Sequence, residues 1–215
     1  MRSSRKTRAK CIYFFRGVLV GEPAKLSTGK KRKYGIDRQL KIAAQYLEIL
    51  VEISGQYDLP PAIIFGVISR ESGWGLYLIP QGPQGTGDFA PRLRKSKYRD
   101  GRIPLDGRGF GRGLMQIDYD YHEFARTGNW PDPHENINYG CGLLARHKKQ
   151  LVSRILLDES TLMRAVIASY NCGVPKVIKA LNLKKDIDHY TTAKNYSRDI
   201  MARSEYLKIF SPADK

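Results

Sequence analysis

No run of 18 or more apolar residues occurs in the 215-residue chain, which excludes a membrane-spanning helix. Cysteine is scarce. Cys11, Cys141 and Cys172 cannot all pair within one chain, and no Cys-x-x-Cys or Cys/His spacing accompanies them, which argues against a zinc site. No metal and no cofactor is therefore expected. Cys141 and Cys172 stand in apolar, helix-like surroundings and read first as small buried thiols, with a disulfide between them as the alternative. There is no internal repeat, and no helix-turn-helix, zinc-finger or RNP signature, so nucleic acid is a poor candidate partner. Acidic residues are in deficit: 21 Asp and Glu face 37 Lys and Arg, a formal charge of +16. The rest of the composition is ordinary for a globular protein, and the length suffices for one domain with a sizeable core.

The excess charge is concentrated in two places. Residues 1–33 carry 11 basic residues and one acid, Glu22, while residues 92–112 carry eight basic residues and two acids. Elsewhere the chain is about neutral, so the charge belongs to a tail and one internal stretch. Such clusters concentrate polyanions locally, although a merely solvated surface gives the same pattern. Residues 1–34 read as a flexible basic arm before a single domain over residues 35–215. Within the arm, a basic start followed by the apolar stretch Cys11 to Val20 has the outline of an export signal. Arg16 interrupts that stretch, however, and no small-x-small cleavage site follows. Location outside the cell or in its envelope is the expectation, with the cytoplasm left open.

Regular structure is expected from Ile36. Leu40, Ala43, Ala44, Leu47, Leu50 and Val51 recur at helical spacing up to Ser54, and Gly55 reads as the stop. Asp58-Leu-Pro-Pro61 reads as a helix start, with Asp58 as the capping candidate. The helix from Ala62 to about Glu71 is apolar on nearly every side, so it should cross the core and deliver Glu71 at its end. Residues 73–113 are rich in glycine and proline and read as loops with a short hairpin. Helical periodicity resumes after Tyr121, near 134–151, 160–171, 174–182 and 194–209, with Asp158 or Ser160 as a cap and Gly173 as a stop. The fold class is α+β, predominantly α: a helical body with a small irregular lobe, in which residues 76–104 form a basic insertion.

A carboxyl at the end of an apolar helix, opening into a glycine-rich lobe, loses solvation, and desolvation favours its neutral form. That is the property of a general acid. By itself Glu71-Ser72-Gly73 is a weak motif, and a Glu at a helix C-terminus is more often a partly solvated end residue. Four blocks in order change the balance: Val67-Ile-Ser-Arg-Glu-Ser72, Phe110-Gly-Arg-Gly-Leu-Met-Gln-Ile-Asp118 with His122 beyond it, Ala168-Ser-Tyr-Asn-Cys-Gly173, and Asn195-Tyr-Ser-Arg-Asp-Ile-Met-Ala-Arg203. Together, over residues 40 to 210, they resemble goose-type lysozymes and, more distantly, soluble lytic transglycosylases.

The resemblance implies a lysozyme-like fold with a cleft between body and lobe, and cleavage of the β-1,4 bond between N-acetylmuramic acid and N-acetylglucosamine in peptidoglycan. It makes Glu71 the acid and Asp118 one of the carboxylates that hold the attacking water. Gln116 and His122 would line the cleft, Tyr170 and Asn171 would contact the sugar or support the acid, and Tyr196 would lie near the reacting sugar. The second water-holding carboxylate should follow the acid by a short loop. Asp106, in Leu105-Asp-Gly-Arg-Gly, is the best match but lies 35 residues on, with Asp88 or Asp100 as substitutes. Each of these residues also has an ordinary reading as cap, core or surface. A lytic transglycosylase needs no such carboxylate, so Asp118 favours hydrolysis with inversion over formation of anhydromuramyl ends; a silent glycan-binding module is the third reading. Arg92, Arg94, Lys95, Lys97, Arg99 and Arg102 are expected to draw the chain to anionic wall polymers.

Overall fold

The computed structural model describes residues 35–93 and 96–207, together with two upstream strands, β1 (Tyr13–Phe15) and β2 (Val18–Val20), which pair antiparallel. The rest of the expected arm, including Cys11, lies outside the described residues.

The amphipathic stretch from Ile36 forms α1 (Ile36–Ala43) and α2 (Leu47–Tyr57), joined by a single 3-10 turn over Ala44–Tyr46. Gly55 does not stop α2. The helix runs two residues further because Asp58 adopts the left-handed conformation at its C-terminus (φ 50°, ψ 52°). Asp58 therefore ends one helix and does not cap the next, and its carboxylate pairs with Lys148 at 2.8 Å. The next helix, α3 (Pro61–Glu71), starts with proline in its first turn, where the missing N–H costs nothing.

Residues Ile63 to Ser69 of α3 are all buried, as the apolar composition requires. Gly66 lets the helix meet α8 (Tyr196–Ser204) closely: a Cβ there would lie 2.7 Å from the Ile200 carbonyl oxygen. Around this pair pack α2, the long α5 (Pro133–Val152), α6 (Glu159–Cys172) and α7 (Val174–Asn182). Capping follows the residue chemistry: Asp132 accepts from the Glu135 N–H and Asp158 from the Thr161 N–H, while Gly173 at φ 84° ends α6. One core cluster extends from Ala43 to Leu207. Cys141 and Cys172 are free thiols, and burial pushes Cys141 up to about 12.

Among its described residues the lobe holds five short strands. β3 (Thr86–Gly87), β6 (Gly111–Arg112) and β7 (Ile117–Asp118) form an antiparallel sheet with β6 central. Within the basic insertion, β4 (Arg99–Asp100) and β5 (Ile103–Pro104) make a separate hairpin that turns at Gly101 (φ 66°). A one-turn helix, α4 (Phe124–Thr127), leads back to the body. The architecture is thus α+β and predominantly α. Among the described residues no helix is long and apolar enough to cross a membrane.

Candidate active site

Glu71 is the last residue of α3, and the chain turns sharply behind it. The Ser72 hydroxyl donates to the Ile68 carbonyl and accepts from the Gly75 N–H, and Gly73 and Trp74 both take positive φ. Trp74 is buried and packs its ring near those of Tyr46 and Phe65, at 5.8 and 5.6 Å. This wedge fixes the helix end, so the half-buried Glu71 faces a cleft of about 560 Å³. From behind, the hydroxyl of Tyr196 donates to Glu71 Oε1. Burial first, and then the negative charge of Glu71, raises the Tyr196 phenol well above its ordinary value, so it stays a donor. The neighbouring Arg70 is held away by Asp199 at 2.6 Å.

The lobe contributes the turn between β6 and β7 to the same cleft. Met115 anchors it to the body: its N–H donates to Asn136 Oδ1 at 2.8 Å, and its carbonyl accepts from the Tyr170 hydroxyl at 2.9 Å. Gln116, at φ 52°, donates to the Gly113 carbonyl at 2.8 Å, and a Cβ at Gly87 or Gly111 would collide with its Oε1. Those two glycines are the reason the Gln116 side chain fits against the sheet.

Asp118 and Asp88, both from the lobe, also line the cleft. One guanidinium joins them. Arg92 donates to Asp118 at 2.6 and 3.1 Å and to Asp88 at 2.7 Å, and lies 3.8 Å above the Phe110 ring. Burial works against the charge on Arg92, but its bonds to Asp118 and Asp88 outweigh that and raise its pKa.

The structure does not bring Asp106 to the cleft. Asp106 forms a two-point pair with Arg112, whose side chain is fully buried, at 2.9 Å for each contact. A buried guanidinium needs an anion, and Asp106 supplies it. Despite partial burial, bonds from Arg112 and the Arg108 N–H lower its pKa. Asp100 lies exposed on the β4–β5 hairpin and is not a cleft residue either. Tyr196 is also placed differently from the expectation. It is buried behind Glu71, is not among the residues that line the cleft, and its hydroxyl meets the acid. Gln116, His122, Tyr170 and Asn171 do line it. His122 contacts the Tyr139 hydroxyl at 3.2 Å, and burial lowers its pKa; Asn171 accepts from the Thr192 N–H at 2.8 Å.

Residues 94–210 match the family model described as Lysozyme g. The chain belongs to the lysozyme g family. It is 28% identical to lysozyme g of Gallus gallus over 173 residues, 80% of this chain and 68% of the relative. It is 29% identical to lysozyme g of Takifugu rubripes over 168 residues, 76% of this chain and 74% of the relative. With lysozyme g-like protein 2 of Homo sapiens it shares 25% over 174 residues, 80% of this chain and 65% of the relative. Alignments of that length within 215 residues necessarily include Glu71, which stands upstream of the segment the family model matches. Membership makes the chain a lysozyme-type glycoside hydrolase with the lysozyme-like fold.

Four residues of this lysozyme g cleft escaped the sequence reading or entered it only in passing. Asp88 was open to detection, since Gly85-Thr-Gly-Asp88 lies 17 residues after Glu71, closer to the short loop the resemblance implies. Arg92 was visible only as one more charge in the insertion. Tyr121 lines the cleft with 76% of its surface exposed, and no spacing pattern marks it. His147 projects from α5. Because the Ser169 hydroxyl donates to the Val166 carbonyl at 2.7 Å, the 3.0 Å contact with His147 Nδ1 assigns the proton to Nδ1, leaving Nε2 an acceptor. Burial, then the charge of Arg146, pushes His147 down to about 4. Among the described residues no group of three or more His, Cys, Asp or Glu could hold a metal ion.

Proposed function

We propose that the chain hydrolyses the β-1,4 bond between N-acetylmuramic acid and N-acetylglucosamine in peptidoglycan, with Glu71 as general acid and a water held by the Asp88–Asp118 pair. What supports this reading is that Glu71, at the end of α3, lines the same cleft as Asp88 and Asp118, which come from the lobe. The Glu71 proton passes to the glycosidic oxygen as its bond to the anomeric carbon breaks. The water oxygen bonds to that carbon from the opposite face, and its proton passes to the aspartate pair; solvent then restores both carboxyl groups. Attack from the far face inverts the anomeric configuration, the outcome expected when two carboxyl groups leave room for water between them. Removing a general acid costs about 10²–10⁴-fold in rate.

A lytic transglycosylase would use the sugar's own hydroxyl and has no need of such carboxylates, so Asp88 and Asp118 favour hydrolysis. The exposed Lys97 and Arg102 of the insertion would add attraction for anionic wall polymers, an effect that salt screens. The test is digestion of insoluble peptidoglycan by wild type and Glu71→Gln, with products identified by mass. Reducing ends that disappear in the variant support the reading. Anhydromuramyl ends, or undiminished lysis by Glu71→Gln, overturn it.

A further inference from the structure

Arg92 comes from the basic insertion, yet its side chain does not point to solvent. Its backbone is tied to the β4–β5 hairpin: its N–H donates to the Arg102 carbonyl at 3.4 Å, and its carbonyl accepts from Arg99 at 3.0 Å. From there the guanidinium crosses Phe110 and meets three carboxylates, Asp118, Asp88 and, at 3.3 Å, Asp120. A planar fork resting on an aromatic face presents its N–H groups in fixed directions, which a lysine ammonium cannot do.

The hydrogen bonds divide the work between the two cleft carboxylates. Asp118 is the more heavily engaged: Oδ1 accepts from Arg92 and from the Asp120 N–H at 2.8 Å, and Oδ2 accepts from Arg92. Asp88 gives only Oδ2 to Arg92, and its Oδ1 accepts no hydrogen bond among the described residues. Asp88 is also the more open of the two, with 45% of its side chain exposed against 28% for Asp118.

We propose that Arg92 is a positioning residue for the reaction: it fixes Asp118 as an anchor, draws Asp88 to the same cation, and leaves Asp88 Oδ1 as the oxygen that takes the attacking water. This rests on the hydrolytic reading above. Without the cation, two adjacent carboxylates repel, and one takes up a proton at higher pH. The charged and titratable groups around this pair are Asp120 and Arg99 on the same lobe, His122, whose N–H donates to the Asp118 carbonyl, and Glu71, His147 and Lys176 in the lining of the cleft. The basic insertion thus has a role inside the cleft, separate from any attraction for polymers outside it.

The experiment compares wild type, Arg92→Gln, Arg92→Lys and Asp88→Asn on soluble peptidoglycan strands, with kcat, KM and the full pH profile. Misplacing the water should lower kcat of Arg92→Gln about 10–100-fold, with KM within about 3-fold. The acidic limb of its profile should move to higher pH. Arg92→Lys should keep that limb near its wild-type place and recover part of kcat. A merely structural arginine would lower the melting temperature without moving the limb, and that result overturns the proposal, as does a rise in kcat, which would make Arg92 an obstruction. Should Arg92→Gln fail to fold, Arg92→Lys decides alone: wild-type kcat in the folded lysine variant overturns the proposal, and a lowered kcat with the limb in place supports it. If Asp88→Asn is fully active, Asp88 does not hold the water and the proposal falls, while the hydrolytic reading still stands or falls with Glu71→Gln and its products; if Asp88→Asn is impaired while Arg92→Gln is not, only the role of Arg92 falls.

Discussion

The Tyr196→Phe variant separates two roles for a residue that the family resemblance puts near the sugar and the structure puts behind the acid. The substitution removes one oxygen from a fully packed position, and that oxygen's bond is to Glu71 Oε1. A hydrogen bond of this kind contributes about 0.5–1.5 kcal/mol, or up to about 3 kcal/mol when one partner is charged. At 1.36 kcal/mol per tenfold, kcat should fall about 2–160-fold, with the centre of that range near twentyfold. KM should stay within about 2-fold, because the ring does not line the cleft and no uniform binding is lost. Steady-state kinetics on soluble glycan strands, with circular dichroism to confirm folding, reads both numbers. A KM that rises at constant kcat would show the hydroxyl on the substrate, and the reasoning would fail.

Asp106→Asn should leave kcat and its pH profile near wild type while removing about 1–3 kcal/mol of stability, since the buried Arg112 loses its anion; denaturant unfolding measures the loss, and a tenfold fall in kcat without destabilisation would return Asp106 to the chemistry. His147 folds with a pKa of about 4 against about 6.5 in an unfolded chain, so the unfolded state takes the proton first as the pH drops. The stability present above about pH 6.5 should therefore be lost toward pH 4, by roughly 2 kcal/mol once partial exposure is allowed for. A His147→Phe variant should show a flatter melting curve over that window; equal slopes in both proteins contradict the assignment. Tyr121→Ala, removing an exposed ring from the cleft, should raise KM about 3–10-fold with little change in kcat, and an unchanged KM would mean that no sugar rests on it.

Much of the scaffold is legible in the chain because helices report themselves locally. The all-apolar stretch ending at Glu71 could only be a core helix, and Asp158 and Gly173 bound α6 by chemistry that needs no distant partner. Gln116 and Asp118, which the resemblance implies as cleft residues, stand close together in one motif, and both line the cleft. Asp58 misled because the same residue type caps a helix start and tolerates the left-handed end of the preceding helix, and only the backbone angle tells them apart. Asp106 was the best match to the second carboxylate that the resemblance implies, but its partner Arg112 lies on the central strand of the lobe sheet, and the burial of Arg112 follows from the pairing with β3 and β7, which no local motif reports. Arg92 is the sharpest case, since a charge count shows eight basic residues over 92–112 and says nothing about which one turns inward.

The most direct test of the account is the anomeric configuration of the first product, read by proton NMR before mutarotation during digestion of a β-1,4-linked strand. A water held by the Asp88–Asp118 pair, attacking the face opposite the leaving oxygen, predicts the α-anomer. A β-anomer at early times, or ends with no free anomeric hydroxyl, would contradict it.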